Sequence, residues 1–157
     1  MEKIPITAEG LAKLENELKH LKHVDRQEVI AAISEARELG DLSENAEYHA
    51  AKDKQGFIEG RIKELEDRIS RAEVIDIKSL SGEDVKFGAT VTLADEDTDE
   101  EITYQIVGED EANIETGHLS ISAPLSRALI GKSVGDSCEV TTPKGPRSYE
   151  IIAVVYK

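Results

Sequence analysis

Apolar residues recur at intervals of three and four through the first half of the chain. Leu11, Leu14, Leu18 and Leu21 step by 3, 4 and 3, the spacing that lines one face of an α-helix. The stripe drifts through Val24 and resumes at Val29, Ile33 and Ala36. A second series, Ile58, Ile62, Leu65, Ile69 and Ala72, steps by 4, 3, 4 and 3, with Glu, Lys, Arg and Asp between, as in one strand of a coiled coil. Thr7, ahead of Ala8-Glu9-Gly10, predicts an N-cap for the first helix. Gly10 in that first turn costs about 1 kcal/mol against Ala, and nothing local in the sequence explains it. Between the two series lies Leu39-Gly40-Asp41-Leu42-Ser43-Glu44-Asn45. Here Gly40 can end one helix and Asp41 or Ser43 can cap the next. The pattern therefore predicts an antiparallel helical hairpin. Arms of about 30 residues are roughly 45 Å long, so the hairpin is expected to project with its turn at the far end.

After Val74-Ile75-Asp76 the period changes. A polar connector, Lys78-Ser79-Leu80-Ser81-Gly82-Glu83-Asp84, leads into segments rich in Val, Ile, Thr and Tyr. Val85 to Leu93, Glu101 to Val107, Ser137 to Thr142 and Ser148 to Val155 read as strands. Pro124 to Ile130, ended by Gly131, suits a short helix with proline in its first turn. The expected class is α+β: a helical hairpin over 1–76, a linker over 77–84, and a small domain on an antiparallel sheet over 85–157.

Charge narrows the choice of partners. The chain of 157 residues carries 33 acidic and 19 basic side chains, a net charge of −14, which opposes nonspecific attachment to phosphate backbones. Six aromatic residues and no Trp argue against a platform for stacking bases. Free DNA or RNA is a poor partner on both counts. Cys138 stands alone, so no intrachain disulfide forms, as suits a reducing compartment. The N-terminal residues lack the apolar core of a signal peptide, and no stretch is long and apolar enough to span a bilayer. A cytoplasmic monomer without a membrane partner is expected.

The hairpin turn holds the candidate chemistry. Asp41 and Glu44 are three residues apart, and a second helix beginning at Asp41 would set both carboxylates on one face at the tip. Two hard oxygen donors can supply part of a Mg²⁺ shell but are too few to hold the ion alone. The alternative is structural: Asp41 caps the helix while Glu44 favours its positive end. Arg37 and Lys52 flank the tip, where they either guide an RNA phosphate or pair with neighbouring acids. His49 has no second His or Cys at ligand spacing, which argues against a zinc site. No nucleophile motif and no glycine-rich phosphate loop is present.

The run Gly40-Asp41-Leu42-Ser43-Glu44-Asn45-Ala46-Glu47-Tyr48-His49-Ala50-Ala51, followed by Gln55-Gly56-Phe57-Ile58-Glu59-Gly60-Arg61-Ile62, resembles the Gre family of bacterial transcript cleavage factors. The likeness continues through Val85-Lys86-Phe87-Gly88, Tyr104-Gln105-Ile106-Val107-Gly108 and Ser122-Ala123-Pro124-Leu125-Ser126-Arg127-Ala128-Leu129 and covers essentially the whole chain. It implies a coiled-coil finger that enters the secondary channel of bacterial RNA polymerase, carried on a C-terminal domain with an FKBP-like fold. Asp41 and Glu44 match the family's acidic pair, which helps hold a second, weakly bound Mg²⁺ in the polymerase active centre. That ion and the polymerase's own promote internal cleavage of backtracked RNA; no cofactor is expected on the free protein. Arg37 and Lys52 match the small basic patch that handles the RNA 3′ end, Lys52 standing where Arg is frequent. Ser122, Pro124 and Arg127 fall in the segment that faces a coiled coil at the channel rim. The resemblance implies an accessory factor rather than an enzyme.

Two other readings compete. A channel-binding regulator that does not promote cleavage would not need Asp41 and Glu44. A peptidyl-prolyl isomerase would need an aromatic-lined pocket, and the second half offers only Phe87, Tyr104, Tyr149 and Tyr156.

Overall fold

The computed structural model describes residues 2–41 and 44–157. It divides into two compact units, one formed by Glu2 with Leu11–Ala72 and the other by Lys3–Gly10 with Glu73–Lys157. The sequence boundaries of 1–76, 77–84 and 85–157 therefore differ from this partition: residues 3–10 and 73–84 group with the sheet. Their backbone explains it. Strand β1 (Ile4–Ile6) pairs with β2 (Ala72–Val74), and Ile75 N–H donates to Ile6 O at 3.0 Å.

The first unit is a helical hairpin. Its first arm runs from α1 (Ala8–His20) through a single π-helical turn (Leu21–Asp25) into α2 (Arg26–Glu38). The π turn accounts for the drift in the apolar stripe. Two α turns use about seven residues, but Leu21 and Val29 are eight apart; one turn closed by i→i+5 bonds takes up the extra residue and returns Val29 to the seam. Helix α3 (Ala46–Ser70) forms the second arm and packs along α2. Val29, Ile33, Ala51, Ile58 and Ile62 form the buried seam, with Leu18, Leu21 and Tyr48 against it. Register is pinned by charge. Arg26 makes a two-pronged contact with Glu59 (2.8 and 2.7 Å), and Arg61 does the same with Glu17 (2.7 and 3.1 Å). These arginine bonds hold the Glu59 and Glu17 carboxyls below their ordinary pKa. Such exposed pairs add little stability but select one alignment.

The second unit carries a five-stranded sheet ordered β5-β4-β3-β7-β6: β3 is Thr90–Asp95, β4 Glu101–Val107, β5 His118–Ser120, β6 Ser137–Thr142 and β7 Gly145–Val155. Neighbours are antiparallel except β4 and β5, which run parallel. The expectation of a wholly antiparallel sheet is corrected there. Strand β5 is three residues long and shows no readable alternation, and two short 3₁₀ turns, Glu109–Glu111 and Ile114–Thr116, carry the chain back to it. The strand expected from Val85 begins only at Thr90. Gly88 interrupts it at φ 86°, and a Cβ there would overlap the Ile77 side chain. Val91, Leu93, Ile106, Leu129, Cys138 and Ile151 fill the core beneath α4 (Pro124–Leu129).

Gly10 finds its reason in this unit. Thr7 Oγ1 accepts from Gly10 N–H at 3.0 Å, the expected N-cap bond, while Thr7 also donates through its amide (3.0 Å) and hydroxyl to the Glu111 carboxylate. Gly108 N–H donates to the same carboxylate at 2.9 Å. A Cβ on residue 10 would occupy the space of that carboxyl group. Gly10→Ala should therefore destabilise the protein by about 1–3 kcal/mol by displacing Glu111, although helix propensity alone favours Ala by roughly 1 kcal/mol. Urea denaturation decides between these signs.

Candidate functional site: the hairpin tip

Helix α2 ends where the sequence indicates. Leu39 N–H donates to Ala36 O and Gly40 N–H to Arg37 O, both at 3.1 Å, and Gly40 sits at φ 76°, the left-handed conformation that closes a helix at little cost for glycine. The start of α3 is different from expectation. The cap is Asn45, whose Oδ1 accepts from Tyr48 N–H at 3.0 Å. Its amide Nδ2 donates to Ala36 O at 2.7 Å and Gly40 O at 3.3 Å. One side chain thus starts the second helix and holds the end of the first. Asp41 does not fill the cap position, and Ser43, the other candidate, lies outside the described residues.

Asp41 and Glu44 consequently stand in the connecting loop and not on the first turn of a helix. Both are exposed, and Glu44 N–H donates to Asp41 O at 3.2 Å. Asp41 has φ 37°, a region that Asp and Asn tolerate better than most residues. Among the described residues no group of three or more His, Cys, Asp or Glu gathers into a possible metal site. The donor set suits part of a Mg²⁺ shell, two hard oxygens needing others from elsewhere.

Arg37, on α2, and Lys52, on α3, both line a groove of about 290 Å³ shared with Ile30, Ile33, Ser34 and Gln55, and Lys52 Nζ donates to Gln55 Oε1 at 3.2 Å. His49 lies edge-on to Tyr48, ring centroids 5.6 Å apart. Ser122, Pro124 and Arg127 lie in the other unit. Ser122 shares a hydrogen bond with Ser120 (Oγ to Oγ 2.9 Å), Pro124 opens α4, and Ser126, fully buried, donates to Ser120 O at 2.6 Å. Leu125, Ala128 and Leu129 hold α4 to the core, leaving Pro124 and Arg127 exposed, three residues apart.

Asn45 is the residue that reading for charge and metal ligands overlooked. The signal was present: Asn directly before a run of helix formers is a preferred N-cap. Asn45→Ala removes three bonds at once and should cost about 1–3 kcal/mol of hairpin stability, measurable as a lowered urea midpoint.

Two family models match the chain: "Transcription elongation factor, N-terminal" over residues 4–74 and "Transcription elongation factor, GreA/GreB, C-term" over residues 80–156. Transcription elongation factor GreA of Rickettsia conorii is 67% identical over 155 residues, covering 99% of this chain and 96% of its own. The GreA of Hyphomonas neptunium is 64% identical over 157 residues, with both chains fully covered. Among solved structures, the GreA factor homolog 1 of Thermus thermophilus is 32% identical over 98% of this chain and 99% of its own, with a TM-score of 0.45. No helix among the described residues is long and apolar enough to cross a membrane.

Proposed function

The chain belongs to the GreA/GreB family of transcription elongation factors, and from that premise we propose that it makes RNA polymerase cut its own backtracked transcript, presenting Asp41 and Glu44 to the polymerase active centre. Membership implies interaction with RNA polymerase; entry through the secondary channel and a cytoplasmic site of action belong to the proposal. The observation that carries the reading is the division of labour at the tip. Asn45 fills the capping role, so the two exposed carboxylates are not needed to start α3.

A shared Mg²⁺, when bound at such a tip, would supply positive charge to the scissile phosphate and lower the pKa of a bound water. The chain's own residues do the rest of its part. Asp41 and Glu44 would offer two anionic oxygens to that ion, the Asn45 bridge ties the start of α3 to the end of α2 beside them, and Arg37 and Lys52 would offer positive charge to the displaced RNA 3′ end. The bond-breaking chemistry stays with the polymerase, so the protein acts as a cofactor of another enzyme. The intact acidic pair speaks against a channel-binding regulator that does not promote cleavage. The isomerase reading is weakened because Tyr104, Tyr149 and Tyr156 pack against the core.

The direct test is a stalled, backtracked elongation complex with Mg²⁺, with and without the protein. A rise in internally cleaved RNA and restored elongation is expected; a rate equal to that of polymerase alone would refute the reading. Docking is assigned to Ser122, Pro124 and Arg127. Arg127→Ala, whose side chain is exposed, should lower polymerase affinity at least about 5-fold in a competition titration, with no change in thermal stability.

A further inference from the structure

We propose that the outward face of α3 around Phe57 is a docking surface for RNA polymerase, with Phe57 seated in an apolar recess and polymerase main chain or small side chains lying close against Gly56 and Gly60. This rests on the interaction with RNA polymerase that family membership implies. Binding, not cleavage, is its readout. Phe57 is 80% exposed, the most exposed large apolar side chain among the described residues, and it belongs to neither buried cluster. Its neighbour Ile58 is buried in the seam. One residue of helix turns through about 100°, which carries Phe57 off the side that packs on α2.

The two glycines beside it have no cause within the chain. Both lie inside the 25-residue helix α3, where glycine is the poorest helix former after proline. Gly10 answers to Glu111 and Gly88 to Ile77, but a Cβ at residue 56 or 60 would meet nothing within 4 Å, and neither residue has a positive φ. Toward the tip the same face carries Ala46 and Ala50, also exposed. Short side chains there leave the Phe57 ring standing clear and let another surface approach the backbone. A helix weakened at two positions and an aromatic ring left in water are both explained by one close-fitting partner. Area identifies it. A phenylalanine buries about 150–250 Å², whereas a specific interface takes about 800 Å² from each partner, so the patch is too small to pair two copies of this chain. It suits one aromatic anchor within a larger contact. The face begins directly after the Asn45 cap and is continuous with the tip that bears Asp41 and Glu44, so a polymerase surface that receives the tip also passes over Phe57.

The test uses the full-length protein, bacterial RNA polymerase in a stalled elongation complex, and a competition titration. Phe57→Ala should weaken binding about 10-fold, a partial loss because docking is shared with the other unit, and should leave the urea midpoint unchanged. Gly60→Ala gives the sharper signature. Better helix propensity should raise its urea midpoint, while the added methyl holds the partner off and weakens binding at least about 3-fold. A glycine with a merely structural role would not move stability and affinity in opposite directions. Either variant binding at full affinity overturns the proposal. A photoreactive p-benzoylphenylalanine in place of Phe57 should crosslink to a polymerase subunit; crosslinks only to a second copy of this chain, or wild-type self-association in sedimentation that Phe57→Ala dissolves, would also overturn it. Wild-type protein that binds polymerase without stimulating cleavage would count against the cleavage reading alone, and the affinities of the two variants would still decide this one.

Discussion

Asp41→Asn and Glu44→Gln should each lower stimulated RNA cleavage by a factor of about 10² or more, equivalent to roughly 2.7 kcal/mol of transition-state stabilisation, while leaving the fold intact. Each substitution keeps size and hydrogen-bonding capacity and removes one negative charge. The local structure says why stability should hold. The hydrogen bond between residues 41 and 44 runs between backbone atoms, Glu44 N–H to Asp41 O, and the cap of α3 comes from Asn45. Asn also tolerates the positive φ of residue 41. A weakly held divalent ion responds to mass action, so raising Mg²⁺ should restore part of the lost rate. Polymerase affinity should hardly move, because the assigned docking residues lie in the other unit. Two variants that cleave at the wild-type rate would show that the carboxylates do not act on the polymerase site.

The architecture was legible wherever one physical signal dominated. Periodic leucines and isoleucines gave the two arms, Gly40 gave the end of α2, and Thr7 gave the first cap. What escaped depends on partners distant in sequence. Gly10 looked like an unexplained cost because the carboxyl group that excludes its Cβ belongs to Glu111, about a hundred residues away. The strand expected from Val85 was shortened because Gly88 sits against Ile77, a contact that local propensity does not contain. Strand β5 was missed because three residues hold too little pattern and its pairing comes from β4. The drift at Val24 was visible as an eight-residue gap, but only the backbone shows that a π turn absorbs it. At the site, the acidic pair and the two cations were singled out as candidates from residue type and spacing. The groove that Arg37 and Lys52 both line depends on how α2 and α3 pack, and Asn45 was passed over because attention went to charged groups.

Shortening the hairpin should abolish stimulation even with every tip residue in place. Deleting Leu14–His20 from α1 and Lys63–Ile69 from α3 removes seven residues from each arm and brings Leu21 into the place of Leu14 and Ala72 into that of Leu65. The heptad phase of both stripes survives, as does the Arg26 to Glu59 contact nearer the tip. Loss of Leu65, which is fully buried, lowers stability by about 2–5 kcal/mol; leucine at residue 72 recovers most of it. At 1.5 Å per residue the carboxylates then sit about 10 Å closer to the base of the hairpin. Metal ligation tolerates displacements of only about 0.2 Å, so a rigid tip retracted by that much cannot supply oxygens to the same ion. The shortened protein, verified as folded by circular dichroism, should still compete with the full-length protein for polymerase and yet stimulate cleavage at least about 10²-fold less, a loss of roughly 2.7 kcal/mol. Reinserting one heptad in each arm should return activity. Full stimulation by the shortened hairpin would mean that the tip acts without reaching the polymerase metal, and direct ligation by Asp41 and Glu44 would have to be abandoned.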